Sequence, residues 1–149
     1  MARLKLIAHD EEDLKILSAH LQDAVVKMSE LAYLPQSRRF AMVLNRYCWE
    51  ENAVKHAGLR MRAGLHFDGV LKARARNLRQ DASDAVLELL AVAFTPSGEG
   101  AGSIALSFAG GGKIRLEVEC IDAVLTDLAG PWPAAARPEH RLGRDAEQA

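Results

Sequence analysis

Arg60, Arg62, His66, Lys72, Arg74 and Arg76 are the residues whose types and spacing could most readily do chemistry in this chain. They occupy even positions of one stretch, while Leu59, Met61, Ala63, Leu65, Phe67, Leu71, Ala73 and Ala75 occupy odd ones. Period-two alternation puts cations and an imidazole on the wet face of a strand and the apolar set on its buried face. The simplest reading is a solvated face, or one neutralised by Glu88, Glu117 and Glu119; such a face can otherwise attract a protein partner, an anionic ligand or a nucleic-acid backbone. It stands on a chain whose net charge is only −1, so any polyanion binding must come from a local patch. RNA-reading sheets interleave exposed rings with their cations. Here the neighbouring ring, Phe67, has buried parity, which ranks nucleic acid below a protein partner.

Asn45, Arg46, Trp49 and Glu50 form a second candidate, a mixture of polar and aromatic groups that could rim a pocket. An ordinary strand terminus explains the same residues. The acids of His9-Asp10-Glu11-Glu12-Asp13 could offer oxygens to a divalent cation. Their capping role at a helix start accounts for them fully. Gly110-Gly111-Gly112-Lys113 lacks the first glycine, the following Ser or Thr, and the helix of a phosphate-binding loop, and reads as a tight turn. His20 sits on an apolar helix and reads as a satisfied, partly buried side chain. GxSxG, HExxH and GxGxxG are all absent. No catalytic, cofactor-binding or metal site emerges, and the chain leans away from being an enzyme. One whose site assembles only in three dimensions stays open.

The elements that must position these groups follow from periodicity. Lys5 to Ala8 reads as a short strand. Asp10 caps a helix reaching Ala24, with Leu14, Leu17, Leu21 and Ala24 as its apolar stripe and Ile16 and His20 on the flank. Val26 and Met28, then Leu31 and Tyr33, suggest a strand with a break near Ser29-Glu30. Pro35-Gln36-Ser37 turns into a partner strand from Arg39 to Trp49. Two geometries preserve the sorting around Asp68-Gly69: a hairpin with a three-residue loop that puts Arg62 opposite Arg74, or one long strand bent at the glycine. Val86 to Phe94 has the composition of a central strand, Thr95 to Gly102 that of a flexible loop. Ile104–Phe108 and Ile114–Val118 make a hairpin. Residues 121–128 fit helix or strand, and Gly130-Pro131-Trp132-Pro133 is expected to stop regular structure.

At 149 residues and 49% hydrophobic composition the chain is long enough to bury a core. The expected organisation is one globular domain over residues 1–132 and a polar, mobile tail over 133–149. No apolar run suits a membrane span or a signal peptide, so the cytoplasm is the default location. Cys48 and Cys120 lie in no metal-ligand spacing and read as small hydrophobes. The predicted fold is α+β: a largely antiparallel, curled sheet or two-layer barrel of about seven strands with one N-terminal amphipathic helix.

Asp13-Leu14, Leu17 to Ala24, Arg39-Phe40, Asn45-Arg46, Trp49-Glu50, Leu65-His66-Phe67-Asp68, Leu89-Leu90-Ala91, Ala109 to Gly112 and Leu116 to Ile121 together resemble an alphaproteobacterial family labelled domain of unknown function 2948. The resemblance runs from about Leu4 to Trp132 and implies a bacterial cytoplasmic domain. That family has no assigned activity, so it carries over no functional residue. The leading expectation is a small non-catalytic binding or accessory protein that acts through a protein partner or as a homodimer. Polyanion binding through the basic face and an undetected enzyme are the alternatives.

Overall fold

The computed structural model describes residues 3–48 and 58–133. Near its start, β1 (Lys5–Ala8) leads into α1 (Glu11–Leu21). Asp10 caps α1 by accepting a 2.8 Å bond from the Asp13 amide, and the carboxylates of Glu11, Glu12 and Asp13 sit where the helix dipole is positive. The Asp13 carboxylate also accepts from the His9 amide, so these acids are used in starting the helix. Leu14, Leu17 and Leu21 are fully buried, each stabilising by about 1.5–3 kcal/mol relative to exposure. The helix stops before Ala24 because Asp23 is left-handed, with φ 65°.

β2 (Ala24–Lys27) and β3 (Leu31–Leu34) are separated by a 3-10 turn at Met28–Glu30, which is the predicted break of parity. β3 pairs with β4 (Arg39–Tyr47) through Leu31 opposite Met42 and Tyr33 opposite Phe40. β5 (Leu59–Asp68) then runs along the other side of β4. Next come β6 (Val70–Arg76), β7 (Val86–Gly98), β8 (Ala101–Phe108), β9 (Lys113–Val118) and β10 (Ala123–Pro133). Among the described residues the sheet has ten strands in the order β1-β10-β5-β4-β2-β7-β8-β9-β6, with β3 beside β4. Every pairing is antiparallel. The sheet curls without closing, and Phe40, Leu65, Phe67, Leu106, Phe108 and Leu116 fill its inside with the helix leucines.

Several expectations are corrected. Ten strands replace about seven, because the broken N-terminal strand counts as β2 and β3, and β1 and β10 are both sheet members. The hairpin alternative at Gly69 is excluded. β5 lies between β4 and β10, whereas β6 pairs with β9, so the chain is one strand bent at a glycine with φ +70°. Arg62 therefore faces Asn45 and not Arg74. The 95–102 stretch is no loop. β7 and β8 continue to a turn at Glu99-Gly100, and Gly102 is needed because a Cβ there would run into the Thr95 carbonyl and the Phe94 ring. Residues 123–128 are strand, and β10 runs through Gly130-Pro131 to Pro133. Cys48 is buried as expected, but Cys120 is exposed. The connection after Trp49 and the tail lie outside the described residues. No helix of the described chain is long and apolar enough to cross a membrane.

Candidate binding surface

A bulge between Val70 and Lys72 breaks the expected parity at the start of β6: Val70 is buried, and Leu71, expected on the buried face, is 52% exposed. From Lys72 on, the expected alternation resumes. Ala73 packs inward against the core, while Lys72, Arg74 and Arg76 point outward. β9 obeys the same rule: Ile114, Leu116 and Val118 are buried, and Lys113, Arg115 and Glu117 face out. Antiparallel register sets Lys72 opposite Glu117, Arg74 opposite Arg115 and Arg76 opposite Lys113. Directly opposed side chains share a sheet face, so these ladder positions gather five cations and one carboxylate. Glu117 is already held by Arg115 at 2.8 Å and by the Ser103 hydroxyl at 2.9 Å. The Ser103 hydrogen bond, opposed by partial burial and aided by the charges of Arg115 and Arg74, keeps its carboxyl below the usual range. Among the described residues, Lys72, Arg74, Arg76 and Lys113 make no ion pair. Arg74, Arg76, Lys113 and Arg115 line a hollow of about 380 Å³ together with Ala75, Ala105 and Ile114.

Only half of the predicted basic set joins this surface. Lys72, Arg74 and Arg76 are brought together, while Arg60, Arg62 and His66 stay on the β5 ladders. Arg60 is 7% exposed; its guanidinium donates to the carbonyls of Asp23 and Asn45 at 3.1 Å and lies 5.6 Å from the centre of the Tyr47 ring. It is a structural cation inside the fold. Arg62 pairs with Glu30 at 3.3 Å, and His66 Nδ1 lies 3.1 Å from Asp68. Lys113 and Arg115, which complete the surface, were missed by sequence reasoning. Their signal was present, since they alternate with Ile114, Leu116 and Val118 in the last hairpin.

Beside the basic face lies the seam where the sheet fails to close. Among the described residues β3 pairs only with β4 and β6 only with β9. At one end the seam is pinned: the Tyr33 hydroxyl donates to the Val70 carbonyl at 2.8 Å, and the Val70 amide donates to the Arg38 carbonyl at 2.9 Å. Past that pin the strands diverge around a groove of about 310 Å³, lined by Leu31, Tyr33, Phe40, Ala73, Leu78 and Ile114 among others.

The family model described as "Protein of unknown function (DUF2948)" matches residues 4–140. The chain belongs to that family. No curated protein and no solved structure matches it. The DUF2948 description assigns no activity, so function in this member has to be argued from its geometry.

Of the second predicted site, Asn45 and Arg46 are described in this DUF2948 member, and they enter different surroundings. Asn45 lines a hollow of about 100 Å³ between β2 and β4, together with Glu30 and Arg62. Arg46, the next residue along β4, is fully buried, with Nε and Nη2 each 2.8 Å from the Asp127 carboxylate. Asp127 also accepts from the Leu4 amide at 2.7 Å, so this ion pair ties β4, β10 and the N-terminal segment together. Both side chains of this pair are fully buried. Trp49 and Glu50 lie outside the described residues. Among the described residues no group of three or more His, Cys, Asp or Glu side chains is placed to hold a metal ion.

Proposed function

We propose that this protein is a non-catalytic, cytoplasmic binding or accessory protein that engages an acidic protein partner through the β6–β9 face. The observation that carries the reading is the five-to-one excess of cations over carboxylates on one ladder, with Glu117 already engaged. Like charges directly opposed across a sheet destabilise it by some tenths of a kcal/mol. An acidic partner offsets that cost on binding and speeds the encounter.

The described rings favour protein over nucleic acid. Phe40, Phe67, Phe108 and Tyr47 are buried, and Tyr33 and Phe94 pack against the core. None of them is offered beside the cations as a stacking platform for bases. A homodimer through β6 is disfavoured, because it would set Lys72, Arg74 and Arg76 against their own copies.

The test compares a fluorescent polyglutamate peptide with duplex DNA of equal length, at low salt and near 0.15 M. The peptide is expected to bind more tightly than the DNA and to be released as the Debye length falls toward about 8 Å. Arg74→Glu with Arg76→Glu should remove that binding. DNA binding tighter than the peptide, or no peptide binding at low salt, would defeat the reading.

A further inference from the structure

The hydrogen-bonding phase of β6 can be read from the last hairpin. The Phe108 amide donates to the Gly112 carbonyl at 2.8 Å, which makes Phe108 and Gly112 a hydrogen-bonded pair. Such pairs alternate along an antiparallel ladder, so Leu106 and Ile114, opposite one another two residues on, form the next. The backbones of Ile114, Leu116 and Val118 therefore face β8, and those of Lys113, Arg115 and Glu117 face β6. The Glu119 amide, of the same parity, donates to the Gly69 carbonyl at 3.0 Å, in agreement with that phase. It follows that Lys72, Arg74 and Arg76 use their amides and carbonyls on β9, while those of Ala73 and Ala75 point the other way, to the edge. Among the described residues nothing pairs with these edge groups.

We propose that the β6 edge receives an added strand: an extended partner segment in which acidic and apolar residues alternate. This rests on the acidic-partner reading above and specifies how that partner docks. Backbone pairing would be made with Ala73 and Ala75. Directly opposed residues share a face, so the acidic positions meet Lys72, Arg74 and Arg76 outside, and the apolar positions enter the groove between β6 and β3. Groove and cations serve opposite faces of one strand, and a segment with period-two alternation satisfies both.

Charge decides between this occupant and a second copy of the chain. Cations on an edge strand are a common defence against pairing with itself. Three outward cations at alternate positions of β6 repel another β6 and attract an acidic strand. Ala73 and Ala75 add little bulk beside the edge groups, and the groove next to them is also lined by Leu78 and Gln80.

The test uses a ten-residue peptide of alternating Glu and Val, a polyglutamate of equal charge, and the full-length protein, with affinities from fluorescence anisotropy. Ala75→Pro removes one edge amide and keeps every charge and every β9 bond, because proline is tolerated where its N–H faced outward. The alternating peptide should bind the wild type better than polyglutamate does. Ala75→Pro should weaken it by about tenfold or more, the scale of about 1.4 kcal/mol, and leave polyglutamate unaffected. N-methylating alternate amides of the peptide should cause a comparable loss against the wild-type protein, which keeps the test valid if the proline variant folds poorly. If neither proline nor N-methylation matters while Arg74→Glu with Arg76→Glu abolishes binding, strand addition is wrong and the charge reading stands. If neither peptide binds, both fail. A wild-type dimer that Ala75→Pro dissociates would make the second copy the occupant and overturn the proposal.

Discussion

Arg74 stands directly across the β6–β9 ladder from Arg115, and the carboxylate next to them, Glu117, is bonded to Arg115 and Ser103. A sheet that opposes two guanidiniums sacrifices a little stability at that position. Arg74→Gln should therefore leave the fold intact and raise its unfolding free energy by about 0.2–1 kcal/mol. Urea denaturation at low salt measures this, and the gain should shrink at 0.5 M salt as screening removes the repulsion. A destabilised variant would mean that Arg74 is a structural residue.

The buried Arg46–Asp127 pair predicts the opposite behaviour. Both side chains have no solvent exposure, so removing Asp127 takes from the buried Arg46 the carboxylate that holds its Nε and Nη2. Asp127→Ala should cost about 3–5 kcal/mol, whereas replacing both with well-packed apolar residues, Arg46→Met with Asp127→Leu, should recover most of the loss. Chemical denaturation of both variants checks this.

Gly69 is where one strand serves two parts of the sheet. Its φ is +70°, and a Cβ there would meet the Glu119 carboxylate at 3.3 Å. Gly69→Ala should destabilise by about 1–2 kcal/mol, with Asn tolerated better because it visits the left-handed region more readily. Equal melting temperatures for the Ala variant and the wild type would show that the bend does not need the glycine.

How far the sequence revealed this design depends on what period-two alternation reports. It reports faces, and Met61, Ala63, Leu65 and Phe67 are buried as their parity requires. It is silent on partners. β5 pairs with β4 and the distant β10, and nothing near Gly69 says that β6 belongs beside β9. Arg60 has wet-face parity but is buried, because its partners are a ring and carbonyls on other segments, which no local pattern reveals. Asp127 is likewise remote from Arg46 in sequence. The half of the basic surface on β9 was legible, but only after β6 and β9 were known to be neighbours.

Acid should loosen two surface clusters. Burial alone would raise the Asp68 carboxyl, but the Arg39 hydrogen bond and charge, with His66 nearby, outweigh it and hold the group below its usual range. Arg39 is raised in turn, chiefly by its hydrogen bond to Asp68. Glu117 is lowered by Ser103 first. A carboxylate depressed in the folded state stabilises above its unfolded pKa, and that contribution is lost as pH falls through the folded value. Stability should therefore drop below about pH 4, the ordinary carboxylate range. Arg39→Gln should flatten that drop, and thermal melts between pH 6 and pH 2.5 measure it on the protein's own scale, with roughly half-unit steps sufficient.

The most direct measurement of the central claim is amide hydrogen exchange along β6, with and without the alternating Glu–Val peptide. The account predicts that the peptide slows exchange at Ala73 and Ala75, whose amides face the open edge, and leaves Lys72, Arg74 and Arg76, already bonded to β9, nearly unchanged. Peptide-dependent protection located elsewhere, or none at these two alanines while the peptide is bound, would contradict it.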